Sequence, residues 1–498
     1  MDHVRTSVFT RFAVPIGLIS VCVVVGWAAT VPLAVPNLAI AAALAFLFAA
    51  LVSVHLVVFS RSGDALNLLS LTGAFYLLSF CLGGIYVWLS LPGGSRSPII
   101  VTISHGGLAT AIMLAAVAWL CLAAGYLMDP LRIVRSVWRP PSHLNAVART
   151  GPLIALLLGI GWAGRMVLLE EGNYYHIHAA AVSPSATSWF VHTVSLLPLV
   201  ALALASSDAF KPSSVTRSHG ARRLFAILVF TELAWAVPTG SRESIVTILL
   251  VVIVVRYYTK RRLPSLKVAV PAILLLVFVV FPVINTYRST DFRASPYRAL
   301  SSAIEGELHR TNGQAAVAGE QTLARFADVT ALARIAELGR NRMSFTTTDT
   351  IRYSLEGLVP RALFPQKLDA TAFDNEFGRA YGFLSPGNFS TAIAATQPGE
   401  LYLGGGWLAL VPGMALLGGL LRMLDEYLGA RRTDTGVLAL YAVTVPIVLV
   451  GLETSIAIGF VGAIKAVALL GLVVAATGWL LSQRRTNSPV VQPRLRGV

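Results

Sequence analysis

The sequence predicts an all-α, polytopic membrane protein: a bundle of about twelve transmembrane helices with one large, partly helical extracytoplasmic loop. Three observations predict it. Charged residues make up only 13% of the 498, well below the roughly 25% of a soluble domain, which excludes a soluble enzyme. Mean hydropathy is +0.71, so most of the chain needs lipid as its solvent. Apolar stretches of about 17–25 residues, the length that crosses the hydrocarbon as a helix, recur along the whole chain.

In order, the predicted spans are Phe12–Thr30, Leu38–Phe59, Leu66–Ser90, Gly107–Met128, Gly151–Leu169, Ser188–Ala205, Arg223–Val237, Ser244–Tyr258, Leu266–Thr286, Leu401–Leu421, Val437–Leu452 and Ile456–Leu481. The first has a basic flank but no small-residue cleavage site, so it reads as a retained helix. Cys22, Cys81 and Cys121 all fall inside apolar runs, where they act as small hydrophobes and imply neither disulfides nor metal.

The formal charge of +15 is distributed in short clusters between the spans rather than along one face. That pattern excludes nucleic acid as a partner and reads as topology. Arg132, Arg135, Arg139 and Arg149 share one connection; Lys211, Arg217, Arg222 and Arg223 the next; Arg256, Lys260, Arg261, Arg262 and Lys267 a third; Arg431 and Arg432 the last. The intervening short connections carry almost no Lys or Arg. By the positive-inside rule the chain sits in the bacterial inner membrane with both termini in the cytoplasm.

The organisation is therefore residues 1–286 (helices one to nine), 287–399 (outer loop), 400–482 (helices ten to twelve) and 483–498 (a basic, Pro-containing tail expected to be disordered). A loop from Tyr287 to Gly399 is too long for a connector and is expected to be functional. Within it Leu323, Phe326, Val329, Leu332, Ile335 and Leu338 recur at helical spacing, with Arg325, Asp328, Arg334 and Glu337 between them. This predicts an amphipathic helix that caps the bundle or lies on the membrane surface. A second helix is predicted over Thr348–Leu358, ending before Pro360; beyond Pro365 the text, including Pro386, Gly387 and Asn388, reads as irregular.

Ionisable groups at membrane depth are expensive and need a reason. Arg165, a turn inside the outer end of the fifth span, is an anion contact, or else it snorkels to the interface or is half of a structural pair. The turn PTGSRESI ends one helix at Pro238 and starts the next with Ser241 as N-cap and Glu243 in its first turn, so Arg242 adds a charge to a helix N-terminus that suits a phosphate. The alternative is a capped hairpin with a snorkelling Arg. Arg361 and Lys367 flank a Pro-rigidified turn and are placed to approach one anion. Arg288, Arg340, Arg342 and Arg352 read as solvated or salt-bridged one by one and as a surface for an acidic partner together. Glu400 stands at a helix start, where the dipole alone favours a carboxylate. Tyr174, Tyr175, His176 and His178 follow the fifth span; two histidines without a third ligand do not make a metal site, so they read as sugar-stacking or interfacial groups. Asp374 and Glu376 in FDNEFG are the nearest thing to paired acids, with a solvated helix face as the alternative. Glu232 and Lys465 read as a polar network inside the membrane.

These stretches, GRMVLLEEGNYY, TGSRESI, GLVPRALFPQKLDA and TQPGELYLGGGW, resemble the Wzy-type oligosaccharide repeat-unit polymerases, relatives of the O-antigen ligases within the GT-C-type membrane glycosyltransferases. The resemblance covers about half the chain. It implies polymerisation, on the outer face of the membrane, of oligosaccharides linked to polyprenyl diphosphate, with no nucleotide sugar, no cofactor and no obligatory metal. It implies a flippase and a chain-length regulator as protein partners. Glu400, Arg242 and Arg361 are then the catalytic candidates. Arg165, Lys367, Arg288, Tyr174, Tyr175, His176, His178 and Tyr402 are the candidates for substrate contact. One pattern of some members, an outer-loop Arg followed by Gly eleven positions later, is absent from the long loop. Expelling a diphosphate asks for cations where charge develops and a base for the attacking hydroxyl.

Two rivals belong to other classes. A ligase would hand the glycan to a different acceptor with nearly the same donor chemistry. A transporter or flippase would use Glu232 and Lys465 along its path, though the chain shows no internal repeat of the kind transporters carry.

Overall fold

The computed structural model describes residues 36–62, 64–91, 103–128, 150–170, 188–211, 215–289, 296–309, 327–359, 363–364, 366, 370–389, 391–429 and 434–486. Among these the chain is helical, with no strand. Among the described residues nine helical stretches are long and apolar enough to cross a membrane. The helices are α1 (Pro36–Ser62), α2 (Leu68–Ser90), α3 (His105–Met128), α4 (Thr150–Glu170), α5 (Ser188–Val194), α6 (Leu197–Phe210), α7 (Val215–Ala236) and α8 (Arg242–Lys260). α9 begins at Leu266–Leu275 and continues through a π segment, Leu276–Val280, into Phe281–Ser289. Then come α10 (Pro296–Leu308), α11 (Val329–Leu338), α12 (Thr347–Leu358), α13 (Ala370–Ala380), α14 (Gln397–Gly405), α15 (Trp407–Gly429), α16 (Thr435–Glu453) and α17 (Phe460–Thr486). The span expected at Phe12–Thr30 lies outside the described residues.

Burial separates the bundle's centre from its rim. In α3, 89% of the most apolar stretch is buried, and in the α5–α6 span Trp189–Phe210 and in α16 78%, against 17% in α9. A helix that is apolar all round and enclosed by others sits at the centre. α3 packs on α1, α11 and α15, and α6 on α4, α7, α8 and α16. The α3–α15 crossing is backbone on backbone: a Cβ on Gly125 would meet the Ala415 carbonyl, and one on Gly418 the Leu122 carbonyl. Small residues allow that approach, which replaces the missing hydrophobic drive between helices in lipid.

Among the described residues, the basic connections around Lys211–Arg223 and Arg256–Lys267 fall at one end of the bundle, where α6 and α8 finish and α7 and α9 start; α15 finishes and α16 starts at the same end. Carboxylates there are held by tyrosines: buried Asp425 accepts from Tyr126 (2.5 Å) and Tyr441 (2.9 Å), and half-buried Asp64 from Tyr258 (2.8 Å). The opposite end carries the turn 237–241, the connection 454–459 and everything from α10 to α14.

α11 caps that end, burying Val329, Leu332 and Ile335 against α3 and α14. Not all of its polar stripe is solvated. The Asp328 carboxyl is turned inward beside Ser79, and Glu337 pairs with Arg334 and accepts from the Ser104 backbone N–H. α12 matches its expected limits, with a capping box between Thr346 and Asp349.

Three expectations are corrected. The stretch after Pro365 is not all irregular: Phe373, Phe377 and Tyr381 recur every fourth residue and bury one face of α13 against Ile335, Phe345 and Leu403. The tenth span is not continuous from Leu401, because Gly406 takes φ +63° and separates the short α14 from α15. The last span starts at Phe460 rather than Ile456, and its helix runs past Gln483 to Thr486.

Candidate functional site

Residues of α4 to α8 on one side and of α13, α16 and α17 on the other line a cavity of about 720 Å³. Its wall is mixed in a way a lipid-facing groove is not. Trp189, His192 and Trp235 supply flat aromatic faces, Glu243, Ser244 and Thr247 a polar strip from the first turns of α8, and Thr371 reaches it from α13.

Arg165 and Glu232 share the wall and answer the question of what a charge does at this depth. The guanidinium donates to both carboxylate oxygens (2.8 and 2.6 Å), donates from Nε to the Ser195 carbonyl (3.3 Å), and lies against the Trp162 and Trp235 rings (5.1 and 4.8 Å), which pack edge-on against each other. Both side chains are 3% exposed. Arg165 therefore takes the structural-pair alternative, and an external anion would have to compete with a bidentate partner. Glu232 pairs with Arg165, and Lys465 lies over Trp189 of the same cavity wall (5.0 Å).

The α7–α8 turn folds as its sequence reads: Ser241 accepts from the Ser244 N–H (3.3 Å). Yet Arg242 lies over Phe281 of α9 (5.4 Å), and it is Glu243 that lines the cavity. Successive residues of a helix point about 100° apart, so the turn cannot aim both at one ligand. Arg242 and Arg165 consequently do not converge on a common anion. Glu243 makes no ion pair among the described residues.

Glu400 is not at the cavity surface. It is 1% exposed and accepts from the Ile456 N–H (2.6 Å), while Gln397 donates to the Gly451 carbonyl (3.0 Å). α14 thus grips the end of α16 and the α16–α17 connection from behind, and these supply Gly451 and then Thr454, Ile458 and Gly459 to the cavity wall. Glu400 therefore stands behind the cavity wall, bonded to its backbone, and does not line the cavity itself. Its N-cap, Thr396, holds φ +66° and ψ 160°, a region that costs a non-glycine residue about 1–3 kcal/mol, and it is buried.

The paired acids are not Asp374 and Glu376. On α13 Glu376 is exposed and Asp374 is buried, and Asp374 lies near enough to Glu400 to feel its charge. Burial pushes the Glu400 carboxyl up to about 7, opposed by the Ile456 N–H and by the nearby Thr350 hydroxyl, which makes no well-formed hydrogen bond. Burial, and then Glu400, hold the Asp374 carboxyl well above the usual carboxylate range.

Of the remaining candidates, Arg288 is half-buried in the last turn of α9. Tyr402 packs edge-on against Trp407 across the Gly406 break (5.8 Å) rather than on the cavity. Arg352 pairs with Glu356 (2.8 Å) at the surface. Arg340 and Arg342 are exposed along a shallow depression of about 450 Å³. Tyr174, Tyr175, His176, His178, Arg361 and Lys367 lie outside the described residues. An apolar crevice of about 290 Å³ between α1 and α2 carries a single ionisable group, His55. Sequence reasoning passed over Trp189, His192 and Trp235; the one available signal was a pair of tryptophans, Trp162 and Trp235, each about a turn from an intramembrane charge.

No curated protein and no solved structure matches the chain. A family described as "Domain of unknown function (DUF8712)" matches residues 166–426, from the end of α4 through most of α15 and so across Glu232, Glu243, α13 and α14. Since that match spans more than half of the 498 residues, the chain belongs to this family.

Proposed function

We propose that the chain is a membrane glycosyltransferase of the inner membrane's outer face, polymerising oligosaccharides carried on polyprenyl diphosphate. The observation that carries this reading is the cavity's wall. Aromatic faces with adjacent hydroxyls and a carboxylate are how proteins hold sugars, whereas an ion path or a lipid groove needs no tryptophan pair. In this reading the acceptor hydroxyl attacks the anomeric carbon of the donor, its proton passes to Glu243, and the bond to the diphosphate breaks with the electron pair leaving on polyprenyl diphosphate. Arg361 and Lys367, which the sequence resemblance implicates, meet the departing anion; Arg165 orients Glu232 and the tryptophans and does not. Basic connections at the opposite end of the bundle support an extracytoplasmic cavity.

A flippase for the same lipid is the second reading. The Arg165–Glu232 pair favours it, because an internally neutralised pair offers hydrogen bonds to a passing head group without leaving net charge in the wall.

The test is purified protein in lipid vesicles given the lipid-linked repeat unit alone. A ladder of longer products is expected, with Glu243→Gln reducing it at least a hundredfold and exposed Glu376→Gln leaving it unchanged. Transfer only to a second acceptor would make the chain a ligase. Movement of the lipid to the far leaflet without new glycosidic bonds would make it a flippase.

A further inference from the structure

The buried acids Asp374 and Glu400 belong to a larger cluster that glycosyl transfer does not use. Four elements bring an oxygen-bearing side chain to it: Thr350 from α12, Asp374 from α13, Glu400 from α14, and Ser455 from the α16–α17 connection. All four side chains are at least nine-tenths buried, at 5%, 3%, 1% and 2% exposure. The Thr350 hydroxyl lies beside the Glu400 carboxyl, and Ser455 precedes the residue whose N–H Glu400 accepts. Among the described residues neither acid has a cationic partner, and Asp374 Oδ1, Thr350 Oγ1 and Ser455 Oγ make no hydrogen bond to protein. Buried polar atoms are almost always satisfied, and two carboxylates enclosed without a counter-charge are costly.

We infer that Asp374, Glu400, Thr350 and Ser455 form a binding site for a divalent cation, Ca²⁺, that fastens the α12–α14 layer to the α16–α17 connection. The donor set points to that ion. It is all oxygen, with no His or Cys to favour zinc or another transition metal, and its two carboxylates match a charge of two. Hydroxyls on separate elements suit the variable six- to eight-fold shell of calcium better than the strict octahedron of magnesium. Extracellular calcium modules bind at about 10⁻⁴–10⁻³ M, and Ca²⁺ at that level is available outside the cytoplasm, where the reading above places this layer. The site itself needs neither substrate nor transfer, so its failure is separable from failure of the glycosyltransferase reading.

The test uses the full chain in nanodiscs after chelation, titrated with Ca²⁺ alone. One ion is expected to bind per chain by equilibrium dialysis, with a rise of several degrees in the unfolding midpoint and slower proteolysis of the 340–400 segment. Asp374→Asn and Thr350→Val should each weaken binding tenfold or more, and Thr350→Val keeps both charges in case the acid variant does not fold. Glu376→Gln, on the exposed face of α13, should bind as the wild type does. Absence of binding up to 10 mM, equal binding by the Thr350 variant, or an equal response to Na⁺ or Mg²⁺ would overturn the assignment. So would stabilisation by acidification alone, which would show that the two acids share a proton instead.

Discussion

Replacing Glu232 by Gln isolates the term that most constrains the cavity. Both members of the Arg165–Glu232 pair are 3% exposed, so the loss is not screened as a surface pair's would be. Breaking a buried pair by removing one partner costs about 3–5 kcal/mol, chiefly because the other charge stays enclosed. The Ser195 carbonyl and the Trp162 and Trp235 faces still attend the guanidinium, which puts the expected loss at the lower end, about 3 kcal/mol, or roughly two decades in the unfolding equilibrium. Converting both residues together, Arg165→Met with Glu232→Leu, should recover most of the loss. The assay is reversible unfolding in mixed micelles, followed by tryptophan fluorescence. A loss below about 1 kcal/mol for Glu232→Gln, or a double variant no more stable than the single one, would refute the reasoning.

Two further outcomes follow from the packing. Gly418→Ala sets a methyl against the Leu122 carbonyl at the α3–α15 crossing; overpacking costs about 1–3 kcal/mol or more where backbone cannot yield, so the yield of monodisperse protein should fall, whereas Ala at Gly462, where a Cβ meets nothing, should be tolerated. The Asp328 carboxyl is pushed up to about 7 by burial, with Ser79 opposing. Its folded value lies above its unfolded one, so the native state holds the extra proton and stability is lost as pH rises from about 4 through 7, by at most about 4 kcal/mol; Asp328→Asn should flatten that part of a stability–pH curve, and an unchanged slope would mean the carboxyl is solvated.

The spans were legible because hydropathy acts on whole helices: a stretch such as Gly107–Met128 or Val437–Leu452 declares itself by length and composition, whatever it packs against. Local chemistry was legible too, as in the Ser241 cap and the end of α12 before Pro360. What failed were pairings between distant positions. Arg165 announces an expensive charge, but nothing local says that its partner is Glu232, 67 residues on, rather than a ligand. Asp374 was read against its neighbour Glu376 when its real neighbour is Glu400 on another helix. The signal for α13 was present in Phe373, Phe377 and Tyr381, all four apart, but the polar residues between them and the Pro and Gly nearby outweighed it. The break at Gly406 was written in three successive glycines, Gly404 to Gly406, inside a stretch whose hydropathy alone reads as continuous.

The end of α16, with its connection to α17, ties the two halves of this reading together. One side of it lines the cavity through Gly451, Thr454, Ile458 and Gly459; the other is held by Gln397 at the Gly451 carbonyl and by Glu400 at the Ile456 N–H. The backbone between those grips is only a few residues long, so a shift of α14 cannot be absorbed within it and must move the cavity wall. α14 is in turn set by the buried N-cap at Thr396, in a backbone region that persists only where the surroundings over-determine it. Gln397 and Glu400 therefore act one layer back, by fixing the shape of the chamber that Glu243, His192, Trp189 and Trp235 line.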